Sequence, residues 1–194
     1  MPDDAPVIVV GAGPAGLSTA GALARVGIRA TVLERDSEVG ARWAERYDRL
    51  RLHTIRRFSG LALPRYVSKD EFARYLRDYA VRLGLDVRLD TDVSRIRRDG
   101  DGWVVEAPAA AFRAPLVVIV TGKHNAPVFP EWPGRETFRG SLVHSSAYRS
   151  GADYAGQGVL VAGFGNTGAE IAADLVESGA NRVAVSVRTS PPIT

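Results

Sequence analysis

Gly11, Gly13 and Gly16 in "VIVVGAGPAG" and Gly163, Gly165 and Gly168 in "VLVAGFGNTG" repeat one spacing, G-x-G-x-x-G, about 150 residues apart. Each trio follows a short apolar run and opens an alanine-rich stretch, and in that setting the spacing has a physical meaning. The first glycine permits a tight turn, the second lets the backbone approach a pyrophosphate, and the third lets helix and strand pack closely. The helix beyond then turns its free N–H groups and positive dipole end toward the phosphates. Pro14 and Ala15 complete the first loop, and Asn166 and Thr167 the second. The chemistry indicated is the holding of two dinucleotides.

What closes each unit separates the two ligands. "TVLER" carries Glu34, 23 residues beyond Gly11, followed by Arg35. A carboxylate there accepts hydrogen bonds from an adenosine ribose and repels a 2′-phosphate. The comparable "VAVSVR" holds no acid and ends in Arg188, whose planar cationic fork suits a 2′-phosphate. The first site is therefore expected to take FAD or NAD, the second NADPH over NADH. The plain alternative for Arg188 is a solvated strand-end arginine.

The elements that must position these loops are legible in the same stretches. Val7–Val10 is a short buried strand, 14–26 a helix closed by Gly27, and 30–33 a second strand, giving β-α-β. "SKDEFARYLRDYAVRLG" is a helix opened by a Ser68–Glu71 capping box, with Phe72, Tyr75, Leu76, Tyr79 and Leu83 on one face and Gly84 at its end. "LDVRLDTDVSRIRRDGDGWVVEA" reads as strands with a hairpin turn over 99–102. "APLVVIVTG" reads as a buried strand, "APVFPEWPG" as an extended connector, and the stretch from 158 as β-α-β again.

Composition bounds the rest. The 194 residues are 45% hydrophobic, enough for an ordinary core. With no cysteine they supply no disulfide, thiolate ligand or dithiol chemistry, which suits a reducing cytoplasmic location and argues against a thiol-disulfide reductase. No metal site is expected. The net charge of +3 comes from 23 arginines and two lysines dispersed among acids, so no nucleic-acid partner is expected. The start "MPDDAPVIVV" carries acids where a signal peptide is basic, and the apolar runs are too short to span a membrane.

"FRGSLVHSSAY" belongs to neither loop. Phe138, Gly140, His144 and Tyr148 match the F-x-G-x-x-x-H-x-x-x-(aromatic) fingerprint of class B flavin monooxygenases, which the chain resembles. In that family the segment links the two nucleotide domains and helps set their placement. Tyr148 followed by Arg149 resembles the heteroatom-oxidising and auxin-forming branches rather than the Baeyer–Villiger one. "EVGARWAERYDRLRLHT" is similar to the plant YUCCA group. By this resemblance Arg42 and Trp43 lie against the flavin, Thr121 and Gly122 form a turn closing on FAD, and the Val93 backbone meets the adenine. His53 and Thr54 fall where animal members have an asparagine near the reactive flavin edge; a packing or surface role for His53 stays open.

The fold implied is an α/β, two-dinucleotide-binding-domain flavoprotein. A Rossmann-like FAD domain over 1–150 would include the linker, and 151–194 would begin an NADPH domain. The activity implied is FAD- and NADPH-dependent monooxygenation of a small organic substrate by O2 through a C4a-(hydro)peroxyflavin. That substrate would be a nitrogen or sulfur centre or a 2-oxo acid. Family members continue for about as long again, so the chain is expected to be an N-terminal part, with a homo-oligomer or a complementing C-terminal half as possible partners. The alternatives are a silent flavin-binding fragment and an NADPH-dependent flavin reductase or oxidase.

Overall fold

A computed structural model describes residues 5–52, 66–122 and 126–189. They form two compact units, 5–45 with 70–122, and 46–52 with 66–69 and 126–189.

The first unit is built on a parallel sheet. Strand β1 (Val7–Val10) consists of four buried β-branched residues and runs between β2 (Ala30–Leu33) and β7 (Leu116–Ile119). Strand β3 (Asp86–Arg88) pairs parallel with β2, so the order is β3-β2-β1-β7. Helix α1 (Pro14–Arg25) has proline at its first position, where the missing N–H costs nothing and the ring presets φ. It buries Gly16, Leu17, Ala20 and Gly21 and ends before Gly27, whose φ of +76° is the left-handed conformation expected of a helix-closing glycine. After the one-turn α2 (Ala41–Ala44) comes α3 (Lys69–Arg82), which buries Phe72, Leu76 and Ala80 at four-residue spacing, together with Ala73.

A second, antiparallel sheet joins β4 (Arg95–Asp99), β5 (Gly102–Ala107) and β6 (Ala110–Ala114). Asp99 faces Gly102 across the expected turn. Val105 and Ala114 of this sheet share a core with Ile8, Val10 and Leu33, and Val93 packs against it half-buried.

Two features differ from expectation. Strand β6 is unforeseen, because an alanine-rich run carries little β signature. Among the described residues strand β7 is an edge rather than a buried strand: it pairs with β1 alone, and Leu116 and Ile119 stay 51% and 62% exposed.

The second unit repeats β-α-β with β8 (Gly158–Ala162), α4 (Asn166–Glu177) and β9 (Arg182–Ser186), the strands again parallel. Ile171 and Leu175 of α4 form its core with Tyr47 and Tyr148, while Leu160 on β8 is 66% exposed. Because Tyr47 and Tyr148 insert there, residues 46–52 and the linker from 126 group with the second loop.

Candidate dinucleotide-binding sites

The two loops share one backbone. Gly11 and Gly163 have φ of +107° and +105°, which side chains rarely adopt. Gly13 and Gly165 cap α1 and α4 with φ/ψ of −72°/−177° and −78°/−176°. A Cβ on Gly16 would run into the Gly11 carbonyl oxygen and come within 3.0 Å of its carbon; one on Gly168 would meet Gly163 in the same way, its carbonyl carbon also at 3.0 Å. The third glycine of each loop is thus demanded by the protein's own packing. The second is not: a Cβ on Gly13 or Gly165 meets nothing within 4 Å. Each loop leaves open the space that a pyrophosphate approaching the helix tip would use.

The strand registers align the closing residues. Val10 pairs with Leu33 and Gly11 N–H donates to Leu33 O at 2.8 Å; Ala162 pairs with Ser186 and Gly163 N–H donates to Ser186 O at 2.9 Å. The counterpart of Glu34 is therefore Val187, and Arg188 stands where Arg35 does, one residue further than the acid. Glu34 is half-buried; its Oε2 accepts from Ala12 N at 2.6 Å and its Oε1 from Asp36 N at 3.1 Å, so the carboxylate is fixed against the first loop. No carboxylate occupies the matching place by the second loop, and Arg188 is exposed just beyond β9.

Around the first loop several expected residues come together. Val120 N–H donates to Val10 O at 2.9 Å, and a Cβ on Gly11 would lie 2.7 Å from Val120 O and 3.3 Å from Thr121 Cα, so the Thr121–Gly122 turn abuts the loop. Thr91 N–H donates to Glu34 O at 2.7 Å, which brings the stretch leading to Val93 beside the acid. Arg35 pairs with Asp36 at 3.8 Å. Arg42 is exposed and pairs with Asp36 at 3.1 Å and Glu45 at 3.4 Å, while Trp43 packs edge-on to Phe72 at 4.6 Å. His53 and Thr54 lie outside the described residues.

The fingerprint residues serve local roles. The Phe138 ring folds over Gly140, where a Cβ would sit 2.6 Å from its edge. His144 packs edge-on to Phe129 at 5.4 Å. Its Nδ1 accepts from Ser146 N at 3.1 Å, so in the neutral ring the proton sits on Nε2. Tyr148 OH donates to Asp174 Oδ2 at 2.6 Å, the same oxygen that accepts from Gly151 N at 2.8 Å.

Sequence reasoning missed what α4 does with its acids. Glu170, Asp174 and Glu177 fall on one helix face and are taken by Tyr47 (OH to Oε2, 2.8 Å), Tyr148 and Arg49 respectively. Asp48 N–H also donates to Arg149 O at 2.9 Å, tying residues 46–50 to the linker. Burial, and then the hydrogen bond to a carboxylate, push the Tyr47 and Tyr148 phenols well above the ordinary tyrosine value. The available signal was the i, i+4, i+7 spacing of acids on a helix whose apolar face is narrow.

Among the described residues no group of acidic or histidine side chains could hold a metal ion, and no helix is long and apolar enough to cross a membrane.

Parallel sheet, twin glycine loops and a single closing acid define an α/β protein with two dinucleotide-type cradles. The family model described as pyridine nucleotide-disulphide oxidoreductase matches residues 8–192, and the chain belongs to that family. It is 40% identical over 184 residues to indole-3-pyruvate monooxygenase YUCCA1 of Oryza sativa subsp. japonica, covering 89% of this chain and 45% of that protein. The flavin-containing monooxygenase from Stenotrophomonas maltophilia superposes with a TM-score of 0.83 at 27% identity, over 97% of this chain and 59% of that one. The structure of OTEMO in complex with FAD and NADP does so with a TM-score of 0.76 at 25% identity, over 95% and 39%. The resemblance to flavin monooxygenases, YUCCA proteins among them, is borne out. The chain spans about half the length of the curated relatives it matches.

Proposed function

We propose that the chain holds FAD on its first loop and NADPH on its second, as part of a monooxygenase that transfers one atom of O2 to a small organic substrate. A 2-oxo acid is the favoured substrate class, given the indole-3-pyruvate monooxygenase relatives. The observation that carries the reading is the common register of the two cradles, with Glu34 closing one and Val187–Arg188 the other. When bound, FAD and NADPH supply the redox and oxygen chemistry.

The protein's part is binding, orientation and exclusion of water. The α1 N-terminus and the open side of Gly13 receive a pyrophosphate. Glu34, already held by Ala12 N–H, presents its remaining lone pairs to ribose hydroxyls. The Thr121–Gly122 turn and the Val93 backbone bound that site, and Arg42 and Trp43 face the ring system. The α4 N-terminus, with Asn166 and Thr167, receives the second pyrophosphate. Arg188 pairs with its 2′-phosphate, and Val187 leaves no negative charge to oppose it. The FAD-binding part extends through the linker to 150 and the NADPH-binding part begins at 151. A cytoplasmic site of action fits a chain without cysteine.

The test is spectroscopic. The purified chain, supplied with FAD, should show flavin absorbance and bleach with NADPH faster than with NADH. NADPH consumption under O2 should rise with a 2-oxo acid in a panel of substrates, with little hydrogen peroxide. Failure to retain flavin defeats the reading, and peroxide formed in proportion to NADPH with every substrate makes the protein an oxidase.

A further inference from the structure

The second cradle is gripped from outside by a residue that belongs to neither glycine loop. Tyr47 is 5% exposed and sits in the core with Ile171 and Leu175 of α4. Its hydroxyl donates to Glu170 Oε2 at 2.8 Å. Glu170 is the fifth residue of α4, just over one turn from the Gly165 cap.

The grip is reinforced along the chain and along the helix. Asp48 N–H donates to Arg149 O at 2.9 Å, and Arg49 pairs with Glu177 two turns below Glu170. Tyr148 holds Asp174 between them at 2.6 Å. Among the described residues three side chains from outside the helix thus take its three acids in sequence, Tyr47 taking the one nearest the glycine loop. Of the three acids Glu170 is the nearest along α4 to the glycine loop. A phenol donating to that carboxylate draws on its charge density and fixes the side chain.

We infer that Tyr47 is a positioning residue for the second dinucleotide: buried against Ile171 and Leu175 and bonded to Glu170, it holds the N-terminal half of α4 in its binding shape and masks the Glu170 carboxylate. This rests on the reading that the second loop binds NADPH.

The test uses the FAD-loaded chain, titrated with NADP+ by calorimetry, with FAD affinity measured in parallel by fluorescence. Tyr47→Phe keeps the ring and removes the hydroxyl. NADP+ should bind about tenfold more weakly, in line with loss of one hydrogen bond to a charged group, with FAD affinity unchanged within about twofold. Equal NADP+ affinity in wild type and variant, or a parallel loss of FAD and NADP+, overturns the inference. Wild-type chain that binds FAD but no NADP+ overturns the reading of the second loop, and this inference with it. Should Tyr47→Phe fail to fold, the pair Glu170→Gln and Glu170→Ala decides. Gln keeps an oxygen acceptor for the phenol and should retain wild-type NADP+ affinity, whereas Ala should lose about tenfold. Equal behaviour of the two defeats the proposal.

Discussion

Replacing Gly13 by alanine adds one methyl group to the open side of the first loop. The methyl meets no protein atom within 4 Å, and the φ/ψ of −72°/−177° is accessible to alanine, so the folded protein should accept it without strain. Alanine is the poorer N-cap by up to about 1 kcal/mol, and the stiffer unfolded chain returns about 0.4–1 kcal/mol. The two nearly cancel. Apo stability should hold within about 1 kcal/mol, a shift of a few degrees at most for a domain of this size. Bound FAD is another matter, because the methyl occupies space the pyrophosphate needs. Overpacking by one methyl costs about 1–3 kcal/mol, or about 5- to 150-fold in Kd. Gly165→Ala is the mirror case, with φ/ψ of −78°/−176° and an equally open side. The pair is assayed by thermal denaturation of the apo chains, flavin fluorescence titration and NADP+ calorimetry. Gly13→Ala should lose FAD and keep NADP+ affinity, and Gly165→Ala the reverse. A Gly13→Ala chain that folds normally and binds FAD within twofold of wild type refutes the assignment of that space to phosphate.

The third glycines should behave oppositely. Gly16→Ala and Gly168→Ala drive a Cβ into a backbone carbonyl that no rotamer change relieves, so each should destabilise the apo protein by about 3 kcal/mol or more, read by urea denaturation. Arg188→Ala should cut the preference for NADPH over NADH by about tenfold or more, seen as a rise in KM for NADPH with that for NADH unchanged. The tyrosines make an alkaline prediction. Their folded pKa values lie above the ordinary value of about 10, so the stabilisation is fully present below that pH and is lost as pH rises from there through the folded values. Each tyrosine should contribute a fall of about 1.4 kcal/mol per pH unit above about pH 10. Tyr148→Phe should be less stable at pH 8, yet show a shallower decline between pH 10 and 11 in denaturant titrations. A slope the same as wild type's sinks the attribution.

Local signals made most of the first unit readable. Val7–Val10 is buried on every residue, and a continuous apolar run says as much. Gly27 and Gly84, both at positive φ, close helices where glycine after a periodic stretch leads one to expect it. Glu34 is legible because its distance from Gly11 is set by one β-α-β unit. What stayed hidden depends on neighbours that are distant in sequence. Nothing in "PLVVIV" tells a central strand from an edge, and among the described residues β7 is an edge because β1 alone pairs with it. The register of β8 against β9, which assigns the acid's place to Val187, needs both strands in view. The grip on α4 is the clearest case. Tyr47 and Glu170 are 123 residues apart, and neither residue type announces the other. Even in the fingerprint, spacing alone did not show the Phe138 ring lying across Gly140.

Matching geometry in the twin loops makes them interchangeable parts. With turn, cap and strand alignment held in common, the proposed coenzyme assignment leaves discrimination to the short peptide just past each second strand. A designer could therefore recast the later half for an unphosphorylated ribose by changing Val187 to glutamate and Arg188 to a neutral residue, leaving every glycine untouched. Duplicated scaffolds of this sort let selection tune one electron carrier without disturbing the other.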